Sequence, residues 1–202
     1  MNLKHIVKQI VQFHHDAIVR WKSDGVQTSQ HDLMAAVEQN HQHNYLLWHA
    51  EDRARRNDMG DAFVVQAKRE IDKHNQARNN QMEAMDHYFI EHLKPASHTQ
   101  CKVHSETPGM MIDRLSILAL KIYHMRLQTE RLDVDEQHRK QCLAKLNQLN
   151  LQHQQLTQCL SELLQDIEHQ NKTFRIYQQH KMYNDPKLNP ELYHPKNKEN
   201  CQ

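Results

Sequence analysis

Apolar residues recur three and four positions apart over long stretches of the chain, the spacing that holds side chains on one face of a helix. These stretches stop wherever glycine or proline occurs. Gly25, Gly60, Pro95, Pro108 with Gly109, Pro186, Pro190 and Pro195 divide the chain into helices predicted at 2–22, 30–56, 60–93, 108–131, 134–169 and 172–183. The expected fold is therefore all-α, a helical bundle of about six helices. Thr107 offers an N-cap hydroxyl and Pro108 a first-turn residue with no N–H to lose, so the fourth helix should start there. Cys142, Leu146, Leu149, His153, Leu156, Leu160, Leu163 and Ile167 advance in alternating steps of four and three. The helix near 134–169 thus reads as long and coiled-coil-like. Its seam closes either within the chain or as a homodimer through 142–167. One domain is expected over 1–194, with a polar tail at 195–202 that frays.

Several polar residues interrupt the apolar faces. In the second helix Leu33, Val37, Asn44, Trp48, Glu51 and Arg55 share one face at about 100° per residue, so Glu51 and Arg55 continue an apolar stripe. They form either a surface i,i+4 pair or part of an interior cleft. In the third helix Phe63, Ala67, Ile71, Met82, Met85 and Phe89 mark the core face, and Arg78 projects from its middle, where it needs a buried partner. Beside it runs an all-polar line: Asp61, Lys68, Asp72, Asn75, Asn79, Glu83 and Asp86. Such a line is either a solvated flank or a second wall of a cleft. The fourth helix is apolar around most of its circumference, which places it centrally, yet Asp113, Arg114, Lys121 and His124 gather on one side. Charges buried there must meet opposite charges, water or a ligand.

Composition narrows the classes. The 202 residues hold 26 Lys and Arg against 25 Asp and Glu, a net charge of +1, so no nucleic-acid partner is expected. No apolar run approaches membrane-spanning length and the N-terminus, with Lys4 and Lys8, does not resemble a secretory signal, so the expected location is cytoplasmic. Cys101, Cys142, Cys159 and Cys201 form no CxxC pair and are expected to be free thiols. The 18 histidines are scattered and lack the paired Glu-x-x-His repeats of a di-iron bundle. No Gly-rich phosphate loop and no Gly-x-Ser-x-Gly turn is present.

Four blocks resemble the bacterial family known as domain of unknown function 4254: NYLLWHAEDRAR at 44–55, KREIDKHNQARN at 68–79, ETPGMMIDRLSILALKIYHM at 106–125 and YQQHKMYNDPKLNPELY at 177–193. The resemblance implies no established activity; it implies a setting beside glycosyltransferases and surface-polysaccharide biosynthesis. It adds Glu106 of the ETPG turn and Lys181, Asn184 and Asp185 of the KMYNDP segment to the residues of interest, and it marks Asp52 and Lys68 besides.

Together these observations give two expectations. In the first, an interior polar cleft binds or acts on a phosphorylated sugar or nucleotide sugar. Asn44, Arg55, Lys68, Asn75, Arg78, Asn79, Glu106, Arg114, Lys121, Lys181, Asn184 and Asp185 would bind it, Arg supplying bidentate contacts to anionic oxygens. Glu51, Asp52, Asp72, Asp113 and His124 are the candidates for acid–base work. Glu51 and Asp52 with the Glu83-x-x-Asp86 pair are the candidate ligands for Mg²⁺. In the second, the polar groups form a closed network in a noncatalytic adaptor that partners glycosyltransferases.

Overall fold

The structure is a computed structural model, which describes residues 3–177 and 185–193. Five long helices make up nearly all of it: α1 Leu3–Asp24, α2 Asp32–Ala54, α3 Asp61–Leu93, α4 Pro108–Thr129 and α5 Glu136–Glu168, with a short α6 at Pro190–Tyr193. The fold is the expected all-α helical bundle. Among the described residues no helix is long and apolar enough to cross a membrane.

Local chemistry explains the helix ends. Gly25 and Gly60 take positive φ, 77° and 86°, which stops α1 and lets the chain turn into α3. The Thr107 hydroxyl accepts from the Met110 N–H at 3.2 Å, and the Asp135 carboxylate caps α5 by accepting from the His138 N–H at 2.6 Å. Before α2, the buried Glu38 carboxylate reaches back to accept from the N–H groups of Ser29 and Gln30, both at 2.8 Å.

α4 packs against all four other long helices. The main cluster of buried side chains draws on each of them, from Leu3, Val7 and Ile10 on α1 through Val37, Met85 and Phe89 to Ile112, Leu115 and Leu160. Each such side chain contributes roughly 1.5–3 kcal/mol. α5 buries Cys142, Leu146, His153, Leu156, Leu160, Leu163 and Ile167, with Leu149 half-buried. α1 and α4 of the same chain pack on this helix, so no second copy is required to cover the seam.

The sixth expected helix, 172–183, does not start where the periodicity placed it. Lys172–Thr173 is a strand, β2, paired in parallel with β1 at Lys102–Val103, and 174–177 is irregular. Backbone pairing with a segment 70 residues earlier in the chain outweighs the local helical pattern. The remainder of that predicted helix and the tail at 195–202 lie outside the described residues.

Candidate functional site

The first half of α4 carries a largely buried polar network. Asp113 Oδ1 accepts from Asn40 Nδ2 at 3.0 Å and Asn44 Nδ2 at 2.9 Å. Arg78 reaches in from α3, with Nε 3.6 Å from the same oxygen and its guanidinium donating to Asn44 Oδ1 at 3.3 Å. The Asn44 amide also donates to Ser116 Oγ at 2.9 Å. Ser116 in turn lies 2.7 Å from His41 Nδ1. His41 Nε2 faces the His14 carbonyl at 3.0 Å, which fixes Nε2 as the protonated nitrogen and Nδ1 as acceptor of the Ser116 hydroxyl. Ser116 and His41 are wholly buried, so this Ser–His pair has no access to a substrate.

The same side of α4, continuing through Ile117, Lys121 and His124, floors an open trough bordered by α5 at one end and by α2 with Arg78 of α3 at the other. Three depressions of about 600, 560 and 380 Å³ join along it. Ile117 is common to the first and third, Lys121 to the first two, and Trp48 and Asp52 to the last two. At one end Arg114 Nη1 donates to both Glu106 carboxylate oxygens at 2.7 Å. In the middle Lys121 on α4 and Lys145 on α5 line the same depression, and neither takes part in any described ion pair. On the α2 side Glu51 and Arg55 form an exposed i,i+4 pair at 3.0 Å.

Trp48 and His124 form the aromatic part of the trough, stacked at 4.3 Å with planes 7° apart. Burial lowers the His124 pKa, and His49 and Lys22 add to this while Asp52 opposes it. The ring is therefore neutral near pH 7 and keeps its capacity to donate at one nitrogen and accept at the other. Its Nε2 is buried without a hydrogen-bond partner among the described residues, as is Arg78 Nε. Both residues line the trough.

The structure thus brings together Asn44, Arg78 and Asp113 inside, and Glu51, Asp52, Arg55, Glu106, Arg114, Lys121 and His124 around the trough. It does not bring Lys68, Asp72 or Asn75 to either place. Lys68 and Asp72 are exposed on α3, and Asp72 stands about 120° around the helix from Arg78. Asn79, Glu83 and Asp86 line a separate pocket of about 30 Å³ beside Thr107 and Met110, room for no more than a water. Asp185 accepts from the Lys187 N–H at 2.8 Å within its own turn. Lys181 and Asn184 lie outside the described residues.

The Mg²⁺ ligand set is not assembled. Glu51 is held by Arg55, and Asp86 anchors the start of α4 by accepting from the Gly109 N–H at 2.6 Å. Burial pushes the Asp86 pKa up to about 6, against the lowering effect of the Thr107 and Gly109 hydrogen bonds. Among the described residues no group of three or more His, Cys, Asp or Glu is arranged to hold a metal ion.

The sequence reading missed Asn40, His41 and Ser116 in the network, and Lys145, Gln148 and Gln152 along the trough. Asn40 stands one turn before Asn44 and Ser116 three residues after Asp113, so the helical period already placed them together. The α5 residues carry no such signal, since they flank an apolar seam as ordinary solvated groups do.

The model of a family described as protein of unknown function (DUF4254) matches residues 34–176. The chain belongs to this family. The matched span contains all of α4 and every described side chain of the trough and network; the His14 carbonyl, which His41 meets from α1, lies before it. No curated protein and no solved structure matches the chain. DUF4254 membership therefore carries the fold region and the site, and the chemistry of the trough has to be read from its own side chains.

Proposed function

We propose that the protein binds a phosphorylated sugar or nucleotide sugar in the trough along α4, in the cytoplasmic setting of surface-polysaccharide biosynthesis that the family resemblance implies. What carries this reading is that two ammonium groups outside any described ion pair, Lys121 and Lys145, share one depression of about 560 Å³ with the neutral imidazole of His124 and a single carboxylate, Asp52. Lysines on facing helices suit a phosphate or diphosphate, which both can approach as point charges. The adjoining depression of about 380 Å³ offers Trp48 with Glu51, Asp52, Arg55 and Arg78. An aromatic face beside carboxylates and guanidiniums suits a ring bearing hydroxyl groups, because these side chains both donate and accept.

The reading is one of binding. The inward groups able to do acid–base or nucleophilic chemistry, Asp113, Ser116 and His41, are spent on one another. That same closure favours a second reading, a noncatalytic adaptor for a glycosyltransferase in which the network only fixes helix register.

Thermal denaturation and Trp48 fluorescence with nucleotide sugars, sugar phosphates and the free sugars separate the two. A ligand at 100 times its Kd stabilises the folded state by about 2.7 kcal/mol. The expected outcome is a raised melting temperature with the phosphorylated compounds, lost in the Lys121→Ala/Lys145→Ala double variant. No shift with any of them removes the ligand reading and leaves the adaptor.

A further inference from the structure

Away from the trough, where α1 packs on α2 and α5, four imidazoles meet. His14 on α1 is wholly buried and, among the described residues, neither of its ring nitrogens has a hydrogen-bond partner. Its ring lies 4.6 Å from that of His41 on α2. His153 on α5 is buried, leaves Nε2 unpartnered, and sits 5.3 Å from the ring of His15 on α1. Three buried nitrogens without partners in one cluster demand a reason, since each costs stability that an apolar side chain of similar shape would not.

The charges facing the cluster are few. Asp16 on α1 acts on His15, and Arg126 on α4 opposes it there. Around His14 the electrostatic neighbours are the other imidazoles, His41, His153 and His15. A proton entering the cluster therefore meets repulsion and a dry surrounding, and can be accommodated only by separating the helices. Access exists, because His153 and Val11 line an open groove of about 860 Å³ between α5 and α1.

We propose that this imidazole cluster is a proton-operated latch, which releases α1 from α2, α4 and α5 on acidification while those other long helices stay assembled. Burial holds His14 well below the usual histidine range, His41 at about 3 and His153 at about 4. Docking is thus fully favoured above the unperturbed value near 6.5 and is progressively lost as pH falls below it. Three histidines each gaining a proton on release shift the docking equilibrium about 1000-fold per pH unit within that window.

The two tryptophans make the release visible. Trp21 lies on α1, 5.2 Å from the His41 ring, and Trp48 lies in the trough. In a Trp48→Phe background the Trp21 emission maximum should move to longer wavelength between pH 6.5 and 4, with a midpoint above that of the main loss of helical circular dichroism. His14→Phe and His153→Leu should each move the Trp21 midpoint to lower pH and reduce the steepness to about 100-fold per unit. If His14→Phe does not fold at pH 7, His153→Leu carries the test. Coincident Trp21 and helicity transitions, or a midpoint that stays in place in the folded variants, would overturn the latch.

Discussion

On the network side, in the first half of α4, Asp113 and Ser116 meet Asn40, Asn44, Arg78 and His41, and their hydrogen bonds run mostly among themselves, with Arg78 at the border of the trough. On the trough side, further along the same helix, Lys121 has no ionic partner and His124 leaves a ring nitrogen unpaired among the described residues. Both sides are built from charged and amide residues, and beyond the Arg78 border between them it is the second that leaves capacity for something else. A polar side chain on a central helix is evidence of a binding site when its partners are missing, and evidence of fold specification when they are present.

Substitutions should separate the two sides by magnitude. Asp113→Ala leaves Arg78, Asn40 and Asn44 without their shared acceptor and should cost about 3–5 kcal/mol, a fall of roughly 10 °C in melting temperature by calorimetry. A loss under about 1 kcal/mol would mean that the network is a passenger. At the start of the same helix, Asp86→Asn keeps an oxygen for the Gly109 N–H and removes a buried charge. Since folding raises the Asp86 pKa from 3.8 to about 6, the carboxylate lowers stability increasingly as pH rises through that interval. The variant should be more stable than the parent by about 3 kcal/mol at pH 8 and close to it below pH 4, as read from urea denaturation at the two pH values. Last and smallest, Lys121→Ala with Lys145→Ala should change stability by less than about 0.5 kcal/mol while abolishing any ligand-dependent shift. A large loss of stability there would blur the division between the two sides.

Much of this architecture is legible without coordinates. Every end of the five long helices falls within two residues of its predicted position, because Gly25, Gly60, Thr107 with Pro108, and Asp135 act locally. Arg78 on an apolar face correctly demanded a buried acceptor, and Asp113 is in place to supply it. Glu51 and Arg55 were harder to place. The buried side of α2 runs on through Leu47, Ala50 and Ala54, whose alanines add little apolar weight, so a stripe drawn through Trp48 and Glu51 lies one residue off. His14 and Glu38 were invisible for a different reason. One is held by packing against other rings and the other by backbone N–H groups of a loop, and neither arrangement leaves a mark on periodicity. Asp86 read as half of an acidic pair because nothing in its own helix reveals that Gly109 comes within reach of its oxygen.

That approach leaves no spare room. A β-carbon at position 109 would run into the Met82 carbonyl and lie 2.9 Å from Asp86 Oδ1. The first turn of α4 is thus pressed against the C-terminal half of α3 with only a hydrogen atom between them, so the tilt of the central helix, and with it the width of the cleft beside it, is set by a residue that lines none of the three depressions.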